Sequence, residues 1–351
     1  MTITLNEHGG PDAGPPIVHD FSTNANPGRA PDEVMAALRA ADRHRYPDPH
    51  YQALRDELGR ALGVQAERVL PTAGSSEAIR RLTLAAHLNG VKQVWVPQPG
   101  YGDYRAAAQA LGLNVQAYAS GEALLHGLST QIGPALVWLC EPCNPTGQSL
   151  PSAFWTSLAQ LQSQRGPQRL SLAVDRAYEP LRLVGEDPVP ADLADQCWQL
   201  CSPNKALGLT GVRAGYMVAP QGETQALAAL LALAPSWVLS AEGMALLQAW
   251  HQPATQAWLA RSRQTLGLWM SAQQQALTRL GWHGEPSVVP FQLVRPAPVS
   301  VPNLLTTLRA QGIKLRDASS FGLPGWVRLS AQAPQAQQAL IQALQEAGAV
   351  A

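Results

Sequence analysis

The chain has 351 residues, 46% hydrophobic and 14% charged, and its 25 basic and 25 acidic side chains cancel. That length supports a large core, in two domains or in one large α/β domain with a smaller partner, and the lack of any basic cluster argues against nucleic acid or an anionic membrane. The N-terminus MTITLNEHGGPDAG has no basic or apolar signal region, and the most apolar run, 226–234, stops at Pro235 too short for a bilayer, so a soluble, cytoplasmic protein is expected.

Up to about Pro31 the chain is rich in Gly, Pro and Asn and has little periodicity, the mark of an irregular arm. Within it, His8-Gly9-Gly10 and FSTNANP (21–27) carry turn chemistry. Asn24 and Asn26 there either shape a loop beside a ligand or sit in a surface turn. Pro31 opens a helix with Val34, Leu38 and Ala41 on one face. After RYPDPHY (45–51), the recurrence of Leu54, Leu58, Ala61 and Leu62 predicts an amphipathic helix stopping at Gly63. A short strand at 68–70 leads into PTAGSSEAIRRL. Its Gly-Ser-Ser turn starts a helix whose first N–H groups, beside two hydroxyls, form an anion cradle or are simply capped by Ser75 or Ser76.

From there short apolar strands alternate with helices. Strands are expected at 93–96, 136–140, 170–174, 197–201 and 214–218, with helices at 106–111 and near 152–164. Continuous apolar strands separated by helices indicate a mostly parallel sheet covered on both faces. The polar motifs PQPGYGDY, EPCNPTG, DRAYEP and SPNKALGLTGVRAGY all follow strands, and ligands of open α/β sheets bind beyond the strands' carboxyl ends. From about 226 the chain turns helical to about 280, and 291–351 reads as a separate α+β layer with strands at 313–316 and 326–329. The expected division is a large domain at 46–235 and a small domain formed by 1–45 and 236–351, with the arm packed on the latter.

Lys205 stands three residues after Ser202 and eight before Arg213, with Gly208, Gly211 and Gly215 nearby. A lysine in a loop is ordinarily just solvated, but this arrangement can hold a phosphate while the amine stays free for chemistry. Cys140 and Cys143 form a C-x-x-C, with Cys197 and Cys201 further on. Cys140 ends an apolar run and the second pair has poor spacing for zinc, so reduced thiols and no metal are expected.

In order and separation, CNPTG, DRAY, SPNKALGLTGVRAGY and VRLS resemble the fold-type I pyridoxal 5′-phosphate enzymes, specifically the class I/II aminotransferase superfamily, over nearly the whole chain. The resemblance implies an α/β, aspartate-aminotransferase-like fold and catalytic roles for Lys205, Asp175 and Tyr178. Lys205 matches the lysine that carries the cofactor, and Asp175 the acid that keeps the ring nitrogen protonated so that the ring acts as an electron sink. Tyr178 and Asn144 match the pair bonded to the ring's phenolic oxygen, and Tyr101 the aromatic residue stacked on the ring. Gly74, Ser75, Ser76, Ser202 and Arg213 match the phosphate ligands. Tyr46, in RYPDP, matches a tyrosine that reaches the neighbouring subunit's cofactor, implying a homodimer. Arg328 matches the arginine that clamps a substrate α-carboxylate. Arg176 and Cys143 depart from the family pattern, which often has Glu and Asn there.

YPDP and KLRD (314–317) narrow the resemblance to the subgroup acting on small phosphorylated amines and amino acids, the histidinol-phosphate aminotransferases and the threonine-phosphate decarboxylases of cobalamin biosynthesis. There Arg316 matches a substrate contact, and Asn26 and Asn144 join it at the substrate. HGG, DFSTNANP and PSWVLSAEG resemble the decarboxylase branch more. A reading from another class, a pyridoxal-phosphate-fold sensor without catalysis, would call for loss of Lys205 or Asp175, or a DNA-binding segment.

Overall fold

The computed structural model describes residues 8–166, 168–296 and 299–349. The signal-peptide expectation rests partly on residues 1–7, which lie outside the described residues. The arm contributes a short strand, β1 (His19–Asp20), and is followed by helices α1 (Asp32–Ala40) and α2 (Gln52–Leu62). Both helices bury the stripe their periodicity predicts, Val34 and Leu38 in α1 and Leu54 and Leu58 in α2. α2 ends where Gly63 turns left-handed at φ 68°, a conformation that costs a residue with a Cβ roughly 1–2 kcal/mol.

The alternating block comprises β2 (Val69–Thr72), α3 (Ser75–Leu88), β3 (Gln93–Pro97), α4 (Gly102–Ala110), β4 (Asn114–Tyr118), α5 (Gly121–Ser129), β5 (Ala135–Cys140), α6 (Ser152–Arg165), β6 (Leu170–Asp175), α7 (Ala191–Ala194), β7 (Trp198–Cys201), α8 (Pro203–Ala206) and β8 (Gly215–Val218). Its strands form one sheet in the order β2-β8-β7-β6-β5-β3-β4. β7, β6, β5, β3 and β4 run parallel, and β8 runs against both its neighbours. β5 shows why a continuous apolar run is needed. All six of its residues are buried; Leu136 and Trp138 pack with Leu70 and Ile79 on one face, Val137 and Leu139 with Trp155 and Leu158 on the other. β4 and α5 are additions to the sequence reading. β4 is the edge strand and is largely exposed, so NVQAY lacks the apolar run that marks its neighbours.

Beyond β8 come α9 (Thr224–Ala232), α10 (Ala241–Trp250) and α11 (Pro253–Arg279). The expected long helical stretch is thus broken, because Pro253 cannot continue a helical ladder but suits a first turn. The last part holds β9 (His283–Gly284), β10 (Phe291–Arg295), α12 (Val301–Ala310), β11 (Ile313–Lys314), β12 (Arg316–Asp317), β13 (Val327–Ser330) and α13 (Pro334–Glu346). Strands β12-β13-β10-β9 make an antiparallel sheet, while β11 pairs with β1 of the arm. The strand expected at 313–316 therefore splits between two sheets. Phe21 from the arm is fully buried in the core that these C-terminal elements share. No helix among the described residues is long and apolar enough to cross a membrane.

Candidate active site

The loops after β2, β3, β5, β6 and β7 leave the same end of the sheet and converge on a cavity of about 290 Å³. Ser75 and Ser76 open α3 at its rim, yet neither hydroxyl caps the helix. Ser75 Oγ and Ser202 Oγ instead lie 2.7 Å apart, and Ser76 Oγ is 3.1 Å from the Tyr101 hydroxyl. Gly74 sits at φ 92°, and a Cβ there would stand 2.7 Å from Arg213 Nη2. Five side chains with donors, Ser75, Ser76, Tyr101, Ser202 and Arg213, thus gather at a helix N-terminus, where the unpaired N–H groups and the helix dipole favour an anion.

Lys205, on α8, lines the cavity with its Nζ 5.5 Å from the centre of the Tyr178 ring. Burial pulls its amine below the ordinary lysine value, with Asp175 pulling the other way. That enlarges the fraction of neutral amine, the form able to act as nucleophile or base. Asp175 ends β6 behind the lining and is 4% exposed. Its carboxylate accepts from the Tyr104 hydroxyl at 2.8 Å and from Ala177 N at 3.0 Å. Burial raises its pKa, and the Lys205 charge opposes the rise. Burial likewise raises the Tyr178 phenol, opposed by Arg328.

Asn144 and Arg328 also line the cavity and are bonded to each other. Arg328 Nη1 donates to Asn144 Oδ1 at 2.5 Å and Nη2 donates to Ser22 O at 2.7 Å. Arg316 is directly opposite Arg328 across the β12–β13 pair. Both are buried, at 2% and 5% exposed, and both line the cavity. The Phe321 ring lies 4.8 Å from the Arg316 guanidinium and 5.6 Å from that of Arg328. Like charges placed directly across a strand pair oppose each other, so this arrangement suits a ligand with two anionic groups.

Two expected residues lie elsewhere. Asn26 does not line the cavity: its Nδ2 donates to Ala206 O at 3.0 Å and Ser262 Oγ at 2.7 Å, and its N donates to Lys205 O at 2.9 Å. It braces the lysine turn from behind, and Asn24 takes the place at the cavity. Tyr46 is 76% exposed, stacked on Trp237 at 4.1 Å beside a separate cleft of about 730 Å³. Tyr104, in the first turn of α4 three residues after Tyr101, is a further residue of this region, and His8, placed by its HGG motif in an arm with no site role of its own, lines the cavity with its ring centre 6.1 Å from that of Tyr101.

These residues fit pyridoxal phosphate. The hydroxyl and guanidinium donors at α3 suit its phosphate, Asp175 its ring nitrogen and Tyr101 a ring face. Asn24 Oδ1 and Arg328 Nε are buried without a partner, so the wall has polar capacity to spare for a ligand. Among the described residues no group of three His, Cys, Asp or Glu side chains could hold a metal ion, and all four cysteines are free thiols.

The fold is that of solved pyridoxal-phosphate enzymes. Threonine-O-3-phosphate decarboxylase from Porphyromonas gingivalis superposes with a TM-score of 0.77 at 23% identity, covering 94% of this chain and 99% of that one. Histidinol-phosphate aminotransferase from Sinorhizobium meliloti, in complex with pyridoxal 5′-phosphate, gives 0.80 at 21% identity, covering 94% and 90%. At those identities the likeness speaks for the fold alone. In sequence, histidinol-phosphate aminotransferase 2 of Caulobacter vibrioides is 29% identical over 318 residues, 89% of this chain and 80% of the relative. The profile of the aminotransferases of class I and II matches residues 16–345, and the chain belongs to that family of pyridoxal-phosphate-dependent enzymes.

Proposed function

We propose that this enzyme acts on a small phosphorylated amino acid and removes its α-carboxylate, with threonine phosphate as the substrate to test first. The observation that carries this reading is the facing pair Arg316 and Arg328 in the cavity that holds Lys205. A substrate with a carboxylate and a phosphate presents one anion to each guanidinium, and a planar fork binds either in a bidentate manner. The arm supports the same branch, since His8, Gly9 and Gly10 line the cavity.

When bound, pyridoxal phosphate supplies an electron sink for the pair left at the substrate Cα. Ser75, Ser76, Ser202 and Arg213 would hold its phosphate with Gly74 allowing close approach, Asp175 would keep a proton at its ring nitrogen, and Tyr178 and Asn144 would hold its phenolic oxygen. Tyr101 covers the ring and restricts water. Lys205 would be the residue that holds the cofactor and would hold a proton beside the substrate Cα. Arg328 orients the α-carboxylate. We place the enzyme in the cytoplasm as a homodimer, divided into a large domain at 46–235 and a small domain of 1–45 and 236–351. The β1–β11 pairing supports assigning the arm to the small domain, and the exposed Tyr46 supports a role across the subunit interface.

The 29% identical histidinol-phosphate aminotransferase favours a second reading. There Lys205 would take and return a proton at the substrate Cα, and a keto acid would be the acceptor of the amino group. A sensor without catalysis would have no need of Lys205, Asp175 and Arg328 at one site. Incubating the holo-protein with threonine phosphate, and separately with histidinol phosphate and 2-oxoglutarate, decides between the enzymes. Release of CO₂ without a keto acid is the expected result; glutamate formation only in the second mixture would overturn it.

A further inference from the structure

Next to the wall that carries Asn144 and Tyr178 lies a charged cluster that none of these roles uses. Glu141 follows β5 and is fully buried. Its carboxylate accepts from Ser149 Oγ, from Leu150 N at 2.9 Å and from Arg182 Nη2 at 2.8 Å. Arg182, itself buried, donates through Nε to both carboxylate oxygens of Glu179 at 3.0 Å, through Nη2 to Glu179 Oε2 at 2.8 Å and through Nη1 to Ser149 Oγ at 3.3 Å. Glu179 immediately follows Tyr178, and Glu141 stands three residues before Asn144. One guanidinium therefore ties together two loops, each of which delivers one polar group to the cavity.

The far sides of both loops are also fixed. Leu183 N donates to Val288 O at 2.7 Å, and Val288 N donates to Gly147 O at 2.8 Å. Arg182 thus closes a frame around Asn144, whose Oδ1 also receives Arg328. Burial pushes the Glu141 carboxyl up, while Ser149, Leu150 N and Arg182 pull it back. Stability is a weak reason for such a cluster, because an apolar set of similar volume often holds a fold as well or better. What a five-donor planar fork adds is a fixed geometry between its acceptors.

We propose that Arg182 is a positioning residue that, by clamping Glu141 and Glu179, sets the separation between the Asn144 amide and the Tyr178 hydroxyl and so tunes the phenolic oxygen of the bound cofactor. The proposal rests on the roles given above to Asn144 and Tyr178. The test uses holoenzyme and the variants Arg182→Met, Arg182→Lys, Ser149→Ala and Glu179→Gln. Three quantities are read: the pH midpoint of the cofactor's visible absorbance, kcat against KM, and the thermal midpoint.

Arg182→Met is expected to move the spectral midpoint and to lower kcat on the order of a hundredfold, the effect of misplacing a group by about 1 Å. Arg182→Lys should recover part of both. Combined with Asn144→Ala, the loss in kcat should fall short of the product of the single losses. An unmoved midpoint with multiplicative losses would show that Arg182 only holds the fold. If Arg182→Met does not fold, Ser149→Ala and Glu179→Gln carry the test, each removing part of the clamp, and a midpoint that ignores both overturns the proposal. Wild-type protein without any cofactor band would sink the functional reading itself; a normal band that ignores every variant sinks the clamp alone.

Discussion

Replacing Arg328 by lysine keeps a positive charge at the cavity wall and removes the fork. The guanidinium meets Asn144 Oδ1 at 2.5 Å and Ser22 O at 2.7 Å while 5% exposed. Burial lowers its pKa to about 10, so it remains charged at neutral pH. A lysine ammonium is a point charge on a flexible stem and cannot reproduce a planar pair of bonds to a carboxylate while also serving Asn144 and Ser22. A hydrogen bond to a charged group contributes about 1.5–3 kcal/mol. Losing one such bond to the substrate and weakening a second removes about 3 kcal/mol of transition-state stabilisation, about two powers of ten in rate. Steady-state kinetics on Arg328→Lys should show kcat/KM down by about a hundredfold. Melting curves followed by circular dichroism separate this from unfolding. A folded variant with unchanged kcat/KM would show that the carboxylate is held elsewhere and would refute the reasoning.

Three further outcomes are expected. Gly74→Ala places a Cβ 2.7 Å from Arg213 Nη2 at a φ of 92°; strain of about 1–3 kcal/mol should weaken cofactor binding about ten- to a hundredfold in equilibrium dialysis, and unchanged affinity would remove this cradle from the phosphate site. Arg309 and Lys314 hold the Asp12 carboxyl far below its ordinary value, so its contribution to seating the arm is present above the unfolded carboxylate pKa and lost as pH falls through the folded value. Proteolysis of the arm should therefore quicken in acid and, in Asp12→Asn, already at neutral pH; an arm equally resistant in Asp12→Asn would assign the anchoring to another group. Mixing Tyr46→Ala subunits with Lys205→Ala subunits should restore activity above that of either alone, because the hybrid has one site with both residues. No restoration would confine Tyr46 to its own protomer.

The central sheet was legible wherever burial on two faces forces an apolar run, as in β5 and β6. It was not legible at the edge strand β4, which has no such constraint. The lysine turn, the Gly-Ser-Ser helix start and the loops after β5 and β6 could be read because their chemistry is local: hydroxyls, a lysine and a carboxylate at short offsets. The choice between Asn24 and Asn26 could not, since both lie in one polar turn. Only the bonds of Asn26 to Ala206 and Ser262, far along the chain, send the second away from the cavity. The same holds for Arg182 and Glu141, joined across 41 positions, and for Arg316 facing Arg328, a register that neither strand states alone.

The pairing of β1 with β11 has a consequence in time. Phe21 N donates to Lys314 O and Ser330 N to Phe21 O, both at 2.9 Å, so the arm that brings Asn24 to the cavity is seated on strands that leave the ribosome late. The seven-stranded sheet and Lys205 are synthesised well before them, and domains fold as units during synthesis. A nascent chain that has completed β8 holds Lys205 and the Gly74–Ser76 helix start but neither Arg316 nor Arg328. Order of synthesis alone thus separates the residues proposed to hold the cofactor from those proposed to choose the substrate.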